Sequence, residues 1–172
     1  MTGEKEVQKA YESILGQHFE EAVEWFQKAI ELEPDNDDYH YKLSITYARS
    51  GKLKDALYHA ERALKLDPFK PEYDAHIRLL QAKQLAHTAE RLIGQGGDGL
   101  HMAVAYLRQA LQLDPLQEGA YMLLAAAHAG MNDFQEAIAV LRKLMRLNPE
   151  HRDASALLTE YQNQLSNYLE EY

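Results

Sequence analysis

A closing proline that returns on a near-fixed period is the feature that most constrains this chain. Ala22, Ala56, Ala103 and Ala137 are followed in turn by Leu32, Leu66, Leu113 and Leu147, and then by Pro34, Pro68, Pro115 and Pro149. Those prolines lie 34, 47 and 34 residues apart. A period in this range marks a helical solenoid, whose units each bury an apolar face only by stacking on their neighbours. The stretch from Gly51 to Pro68, GKLKDALYHAERALKLDP, shows the pattern most fully.

The period also decides domain organisation, because 172 residues alone would fit either one globular domain or a short repeat array. The expectation is a single continuous domain over 1–172. Its repeats cover about 3–36, 37–70, 71–117 and 118–151, with a capping helix over about 152–172. Apolar residues make up 46% of the chain, enough for a core. A formal net charge of -9 opposes contact with phosphate backbones and anionic membranes, so no nucleic-acid or membrane partner is expected. With no cysteine there is no disulfide or thiolate chemistry. The charged start MTGEKEVQKAYESIL does not read as a signal peptide and no apolar run is long enough for a membrane span, so a cytoplasmic location is the expectation.

Apolar spacing predicts the helices. Val7, Ala10, Tyr11, Ile14 and Leu15 share one face of a first helix, and Phe19 to Leu32 forms its mate. Each Pro then ends a pair, since proline lacks the amide donor that a helix needs. Asp35-Asn36-Asp37-Asp38 supplies the next cap, and Gly51 suits the left-handed turn between Tyr39–Ser50 and Leu53–Leu66. Ala56, Ala60 and Ala63 share a face where only methyl groups let helices approach closely. The third repeat carries an insertion. Its first helix runs from about Glu72 to Ile93, roughly 33 Å long, before the loop Gly94-Gln95-Gly96-Gly97-Asp98-Gly99 and the helix Leu100–Leu113. That extension should protrude, with Leu85, Ala89, Leu92 and Ile93 as an apolar stripe that nothing in its own repeat covers. Residues 118–131 and 134–147 form a regular fourth pair, and Asp153 to Tyr172 a cap with Leu157, Leu158, Tyr161, Leu165, Tyr168 and Leu169 inward.

Several chemical signals fail on their own terms. Gly94 to Gly99 fits G-x-G-x-x-G, but a dinucleotide fingerprint follows a strand and this one follows a long helix. Asp35 to Asp38 lacks the glycine and the glutamate of a calcium loop. No two of the eight histidines stand four apart on one helix, and His76 and His87 are about three turns apart. Carboxylate pairs such as Glu20-Glu21 fall on solvated faces, and no nucleophile, base and oxyanion donor come together. No catalytic residue, cofactor or metal is expected.

Over nearly its whole length the chain resembles the tetratricopeptide repeat family, most fully in its second and fourth repeats. The family pattern falls on Leu43, Ser44, Tyr47, Gly51, Leu53, Ala56, Ala63 and Pro68, and again on Tyr121, Leu124, Ala125, His128, Phe134, Ala137 and Pro149. Arg78 and Gln81 depart from it in the third repeat, and Gly16 sits one residue closer to the next helix than Gly130 does. The resemblance implies an all-α, right-handed superhelical solenoid of antiparallel helix pairs with a C-terminal capping helix. It further implies that first helices line a concave groove, with Tyr41, Ile45, Ala48, Arg49, Leu79, Lys83, Met122, Ala126 and Ala129 facing a partner's peptide or amphipathic helix. The positions that grip chaperone tails elsewhere in the family hold Tyr41, Ile45 and His76 here, which argues against that ligand. The expected role is a non-enzymatic scaffold for a protein or peptide. The alternatives are self-association through Leu85, Ala89, Leu92 and Ile93, giving a homo-oligomer, or a chaperone for a secreted or assembling client.

Overall fold

A computed structural model describes residues 2–170. Among these residues the chain forms nine α-helices and no strand: α1 (Glu4–Leu15), α2 (Phe19–Leu32), α3 (Asp37–Arg49), α4 (Leu53–Leu66), α5 (Pro71–Gln95), α6 (Asp98–Leu113), α7 (Glu118–Gly130), α8 (Phe134–Leu147) and α9 (Arg152–Glu170). Glu171 and Tyr172, assigned by sequence to the cap, lie outside the described residues. The fold class is all-α and of the tetratricopeptide type. Where the sequence suggests one continuous domain, the backbone clusters into two compact units, Met1–Gln81 and Ala82–Tyr172, dividing within α5.

In the first unit α1 packs on α2, α2 on α3 and α3 on α4. The core holds Phe26, Leu43 and Leu80, each almost wholly removed from water, with Val23, Tyr47 and Ile77 around them. Ala56, Ala60 and Ala63 have no exposed surface, as close helix approach requires. Burying each Leu or Phe is worth about 1.5–3 kcal/mol. In the second unit α6 packs on α7, α7 on α8 and α8 on α9, around Leu107, Leu124, Leu141 and Leu144. The last helix buries Ala154 and Tyr161 and half-buries Leu157, Leu158 and Leu165, while Tyr168 and Leu169 remain exposed. Its apolar face is therefore shorter than the sequence pattern suggests.

One turn chemistry joins three of the pairs. The second residue before each mate helix takes a left-handed backbone: Gln17 (φ 61°), Gly51 (φ 77°) and Asn132 (φ 61°). The amide after it closes the end of the first helix, from His18 to the Ser13 carbonyl, Lys52 to Tyr47 and Asp133 to His128, at 2.8, 2.9 and 2.9 Å. This fixes the register of the first repeat. Gly16 occupies the place of Ser50 and Met131, and the left-handed residue is Gln17, although glycine would adopt that shape at less cost.

The stops before the prolines are hydrogen-bonded turns as well as missing donors. Asp67 and Asp114 accept from the amides of Phe69 and Leu116 at 3.1 Å, and Asn148 accepts from Glu150 at 3.2 Å. In the first repeat a longer side chain reaches further: Glu33 accepts from the Gly3 amide at 2.7 Å and the Tyr39 hydroxyl at 2.9 Å, tying α1 to α3. Those bonds hold the Glu33 carboxyl below the usual range, and burial beside Glu33 pushes Tyr39 up to about 12.

The long helix corrects two expectations. It runs over 25 residues, about 37 Å, because Pro71 is tolerated in a first turn and Gly94 and Gln95 remain helical. The loop shrinks to Gly96 and Gly97, both with positive φ. Nor is the stripe left open. Ala89 has no exposed surface and Leu92 and Ile93 pack against the second unit's core, with Leu85 half-buried. Gly99 explains the fit: a Cβ there would lie 2.6 Å from the Leu92 carbonyl oxygen, so only glycine lets the start of α6 close over the end of α5.

Candidate partner-binding surfaces

Asn36 accepts from the Tyr39 amide at 3.2 Å and so caps α3, the helix that presents the first predicted surface residues. The side chain of Tyr41 is half-buried, its ring 4.7 Å from Tyr73 and 5.3 Å from His76. Ser44, fully buried beneath it, donates to the Ala56 carbonyl at 2.7 Å and lies 2.9 Å from His76 Nε2. Tyr41 is thus as much a packing residue as a surface one. One turn on, Ile45 and Arg49 stand in the wall of a cavity of about 320 Å³.

That cavity joins α1, α2 and α3. Tyr11, Ile14 and Phe26 supply its apolar side, with Thr46 and Lys42 completing it. Phe26 is the floor, edge-on to Tyr11 at 5.9 Å. Lys42 pairs with Asp38 at 2.5 Å and lies over the Tyr11 ring at 5.5 Å. Burial lowers its affinity for the proton, but bonds to Asp38 and Tyr11 more than offset this and raise its pKa. Arg49 is exposed and joins no ion pair among the described residues. The spacing argument missed Tyr11, Ile14, Phe26 and Thr46, since it considered α3 without the α1 side chains that close the cavity.

The remaining predicted residues are placed as follows. Ala48 is half-buried on α3, and Leu79 and Lys83 are exposed one turn apart on α5. In the second unit Met122, Ala126 and Ala129 on α7 are half-buried, Met122 and Ala129 packing against the core. Among the described residues no three His, Cys, Asp or Glu side chains are grouped to hold a metal ion, and no helix is long and apolar enough to cross a membrane.

On the other side of α3, His40 and His59 meet with their Nδ1 atoms 2.9 Å apart, and His40 Nε2 lies 3.1 Å from the Pro34 carbonyl. The carbonyl only accepts, so Nε2 carries a hydrogen, and the paired Nδ1 atoms share a single proton between two neutral rings. Burial keeps His40 below its ordinary value, and burial together with His40 pushes His59 down to about 4.

Family models match most of the chain: one for the TPR repeat over residues 15–51, and two for the tetratricopeptide repeat over residues 37–69 and 102–161. The chain is a tetratricopeptide-repeat protein. A pentatricopeptide repeat-containing protein of Arabidopsis thaliana is 26% identical over 136 residues, covering 79% of this chain and 15% of that protein. The peptidyl-prolyl cis-trans isomerase FKBP4 of Bos taurus is 25% identical over 154 residues, covering 88% and 34%. The chain therefore spans about a third or less of these relatives. Among solved structures, MamA 41-end from Desulfovibrio magneticus RS-1 superposes with a TM-score of 0.55 at 18% identity, over 95% of this chain and 85% of that one. This likeness concerns the fold.

Proposed function

We propose that this tetratricopeptide-repeat chain is a non-enzymatic scaffold that captures a segment of a partner protein on the first-helix faces of its repeats. The observation that carries the reading is the cavity between α1, α2 and α3: an apolar pocket over Phe26, with the cations Lys42 and Arg49 at its edge. A preformed apolar pocket with a few polar groups fixes a peptide at little ordering cost to the receptor. The partner it suits carries a leucine- or phenylalanine-sized anchor with an acidic residue near it. Lys42 is already paired with Asp38, so Arg49 takes that acidic residue. On a chain of net charge -9, a local positive edge favours such a segment over other acidic surfaces. Leu79 and Lys83 on α5, and Met122, Ala126 and Ala129 on α7, are given the same role, each set on its own helix.

The test is crosslinking and affinity capture from the native source, comparing the wild type with Ile45→Asp and Arg49→Glu variants that circular dichroism shows to be folded. A partner crosslinked next to Lys42 and lost from both variants supports the reading. A captured set that neither substitution changes removes the cavity from the function.

A further inference from the structure

Residues 81 positions apart occupy matching places in α2–α4 and α6–α8, as Ala22 with Ala103 and Leu43 with Leu124 illustrate. In the first block side chains from the three helices meet one another across the space between them. Gln27 Nε2 donates to the Tyr47 hydroxyl at 2.9 Å, and the His59 ring stacks on Tyr47 at 5.6 Å and on His40 at 5.1 Å. In the second block Arg108 replaces Gln27, His128 replaces Tyr47 and Val140 replaces His59. The same space is now a cavity of about 390 Å³, walled by these three residues together with Leu124, Glu136 and Lys143 among others.

His128 makes this more than a packing defect. It is 5% exposed, and Asp133 Oδ2 lies 3.1 Å from its Nδ1. An ionised carboxylate can only accept, so Nδ1 carries the hydrogen, and whenever the ring holds that hydrogen alone Nε2 is left with a bare lone pair. That Nε2 is buried and has no hydrogen-bond partner among the described residues. A buried unpaired acceptor is destabilising, so a ligand that supplies the missing donor gains from a bond the fold leaves unmade. Around the same cavity, Arg108 and Lys143 join no ion pair among the described residues. With the Glu136 carboxylate the wall carries one net positive charge, which suits a monoanion better than a phosphate dianion.

We propose that this cavity binds a small carboxylic acid with an O–H or N–H donor on the carbon beside the carboxylate, that is, a hydroxy acid or an amino acid. Arg108 and Lys143 hold the carboxylate, the His128 ring, whose Nε2 is closed to water in the free fold, shifts to accept from the donor, and an aliphatic remainder rests on Leu124 and Val140. Glu136 stands where an ammonium group would add to the binding. The site lies between α6, α7 and α8, shares no residue with the α1–α3 cavity that carries the proposed partner binding, and does not depend on that reading.

Three probes of one carbon skeleton test it: L-leucine, its 2-hydroxy counterpart and 4-methylpentanoate, each titrated while the His128 ring signals are followed by NMR. Saturable movement is expected with either donor-bearing acid. Leucine should bind tighter if the ammonium meets Glu136, and the hydroxy acid if it does not. The donor-free acid should bind about tenfold or more weaker, the scale of one lost hydrogen bond. Arg108→Gln with Lys143→Gln, both at exposed positions, should weaken binding by a similar factor. Arg108→Gln with His128→Tyr restores two of the three first-block residues, removes one cation and the imidazole, and should abolish binding in a folded protein. Equal binding of all three probes, no saturable movement at millimolar concentration, or binding that survives Arg108→Gln with His128→Tyr would overturn the proposal.

Discussion

The two helix blocks α2–α4 and α6–α8 show how one backbone plan can be closed in one place and open in another. Both end their helices alike: Tyr121 donates to the Pro115 carbonyl at 3.1 Å, where His40 Nε2 meets the Pro34 carbonyl at the same distance. Both bury an alanine at the start of the mate helix, Ala56 and Ala137, with no exposed surface. Besides His40 and Tyr121, three side chains carry the difference. A glutamine, a tyrosine and a histidine that satisfy and stack on one another become an arginine, a histidine and a valine that do not. Removing one ring and shortening another leaves space, and because the wall of that space is polar and charged, it becomes a candidate site instead of a dry void. Repeat architectures permit this, since each unit depends mainly on its neighbours and the rest of the array can absorb a local loss of packing.

The comparison breaks most severely in the cores. Phe26 and Leu107 hold matching positions and neither is exposed. Phe26→Ala should cost about 3–5 kcal/mol and Leu107→Ala about 2–5 kcal/mol. Since the two residues belong to separate apolar clusters, hydrogen exchange should show protection lost first in α1–α4 for one variant and in α6–α9 for the other. Uniform loss in both would mean that the clusters fold as a single cooperative body.

A smaller effect separates the blocks by pH. His40 and His59 have folded values below the 6.5 of a free ring, His59 at about 4, so the unfolded chain takes up protons first as the solution is acidified. Their contribution to stability is therefore full above pH 6.5 and is lost as pH falls toward about 4. Asp55 and Asp35 favour protonation of the pair, while Arg62 opposes it at His40. Ring NMR should find His59 titrating near 4, with α3 and α4 amides losing protection across the window. Titration of His59 near 6.5 would mean that the stack is not closed.

Much of this plan can be read in the sequence, because it depends on local chemistry. Prolines and their preceding acids mark the helix stops, Asn36 marks a cap, and the small residues of α4 mark close approach. What escapes is whatever depends on a neighbour remote in sequence. The stripe on the long helix looks uncovered until Gly99 brings α6 across Leu92. The turn after α1 looks like Gly16, yet the mate helix begins two residues after the left-handed position, which is Gln17. The α3 pocket needs Tyr11 and Ile14 from another helix. His128 is visible as a departure from the tyrosine at Tyr47, but its unpaired nitrogen is not, since that depends also on Val140 and Asp133.

The most direct test of the open and closed blocks is the thermal unfolding of the Arg108→Gln, His128→Tyr variant beside the wild type, without ligand. If the cavity is real, the tyrosine fills it and accepts from the new glutamine, and the midpoint rises by the equivalent of about 1 kcal/mol. If the space is already filled, the larger ring overpacks it and the midpoint falls by the equivalent of about 1–3 kcal/mol, contradicting the account.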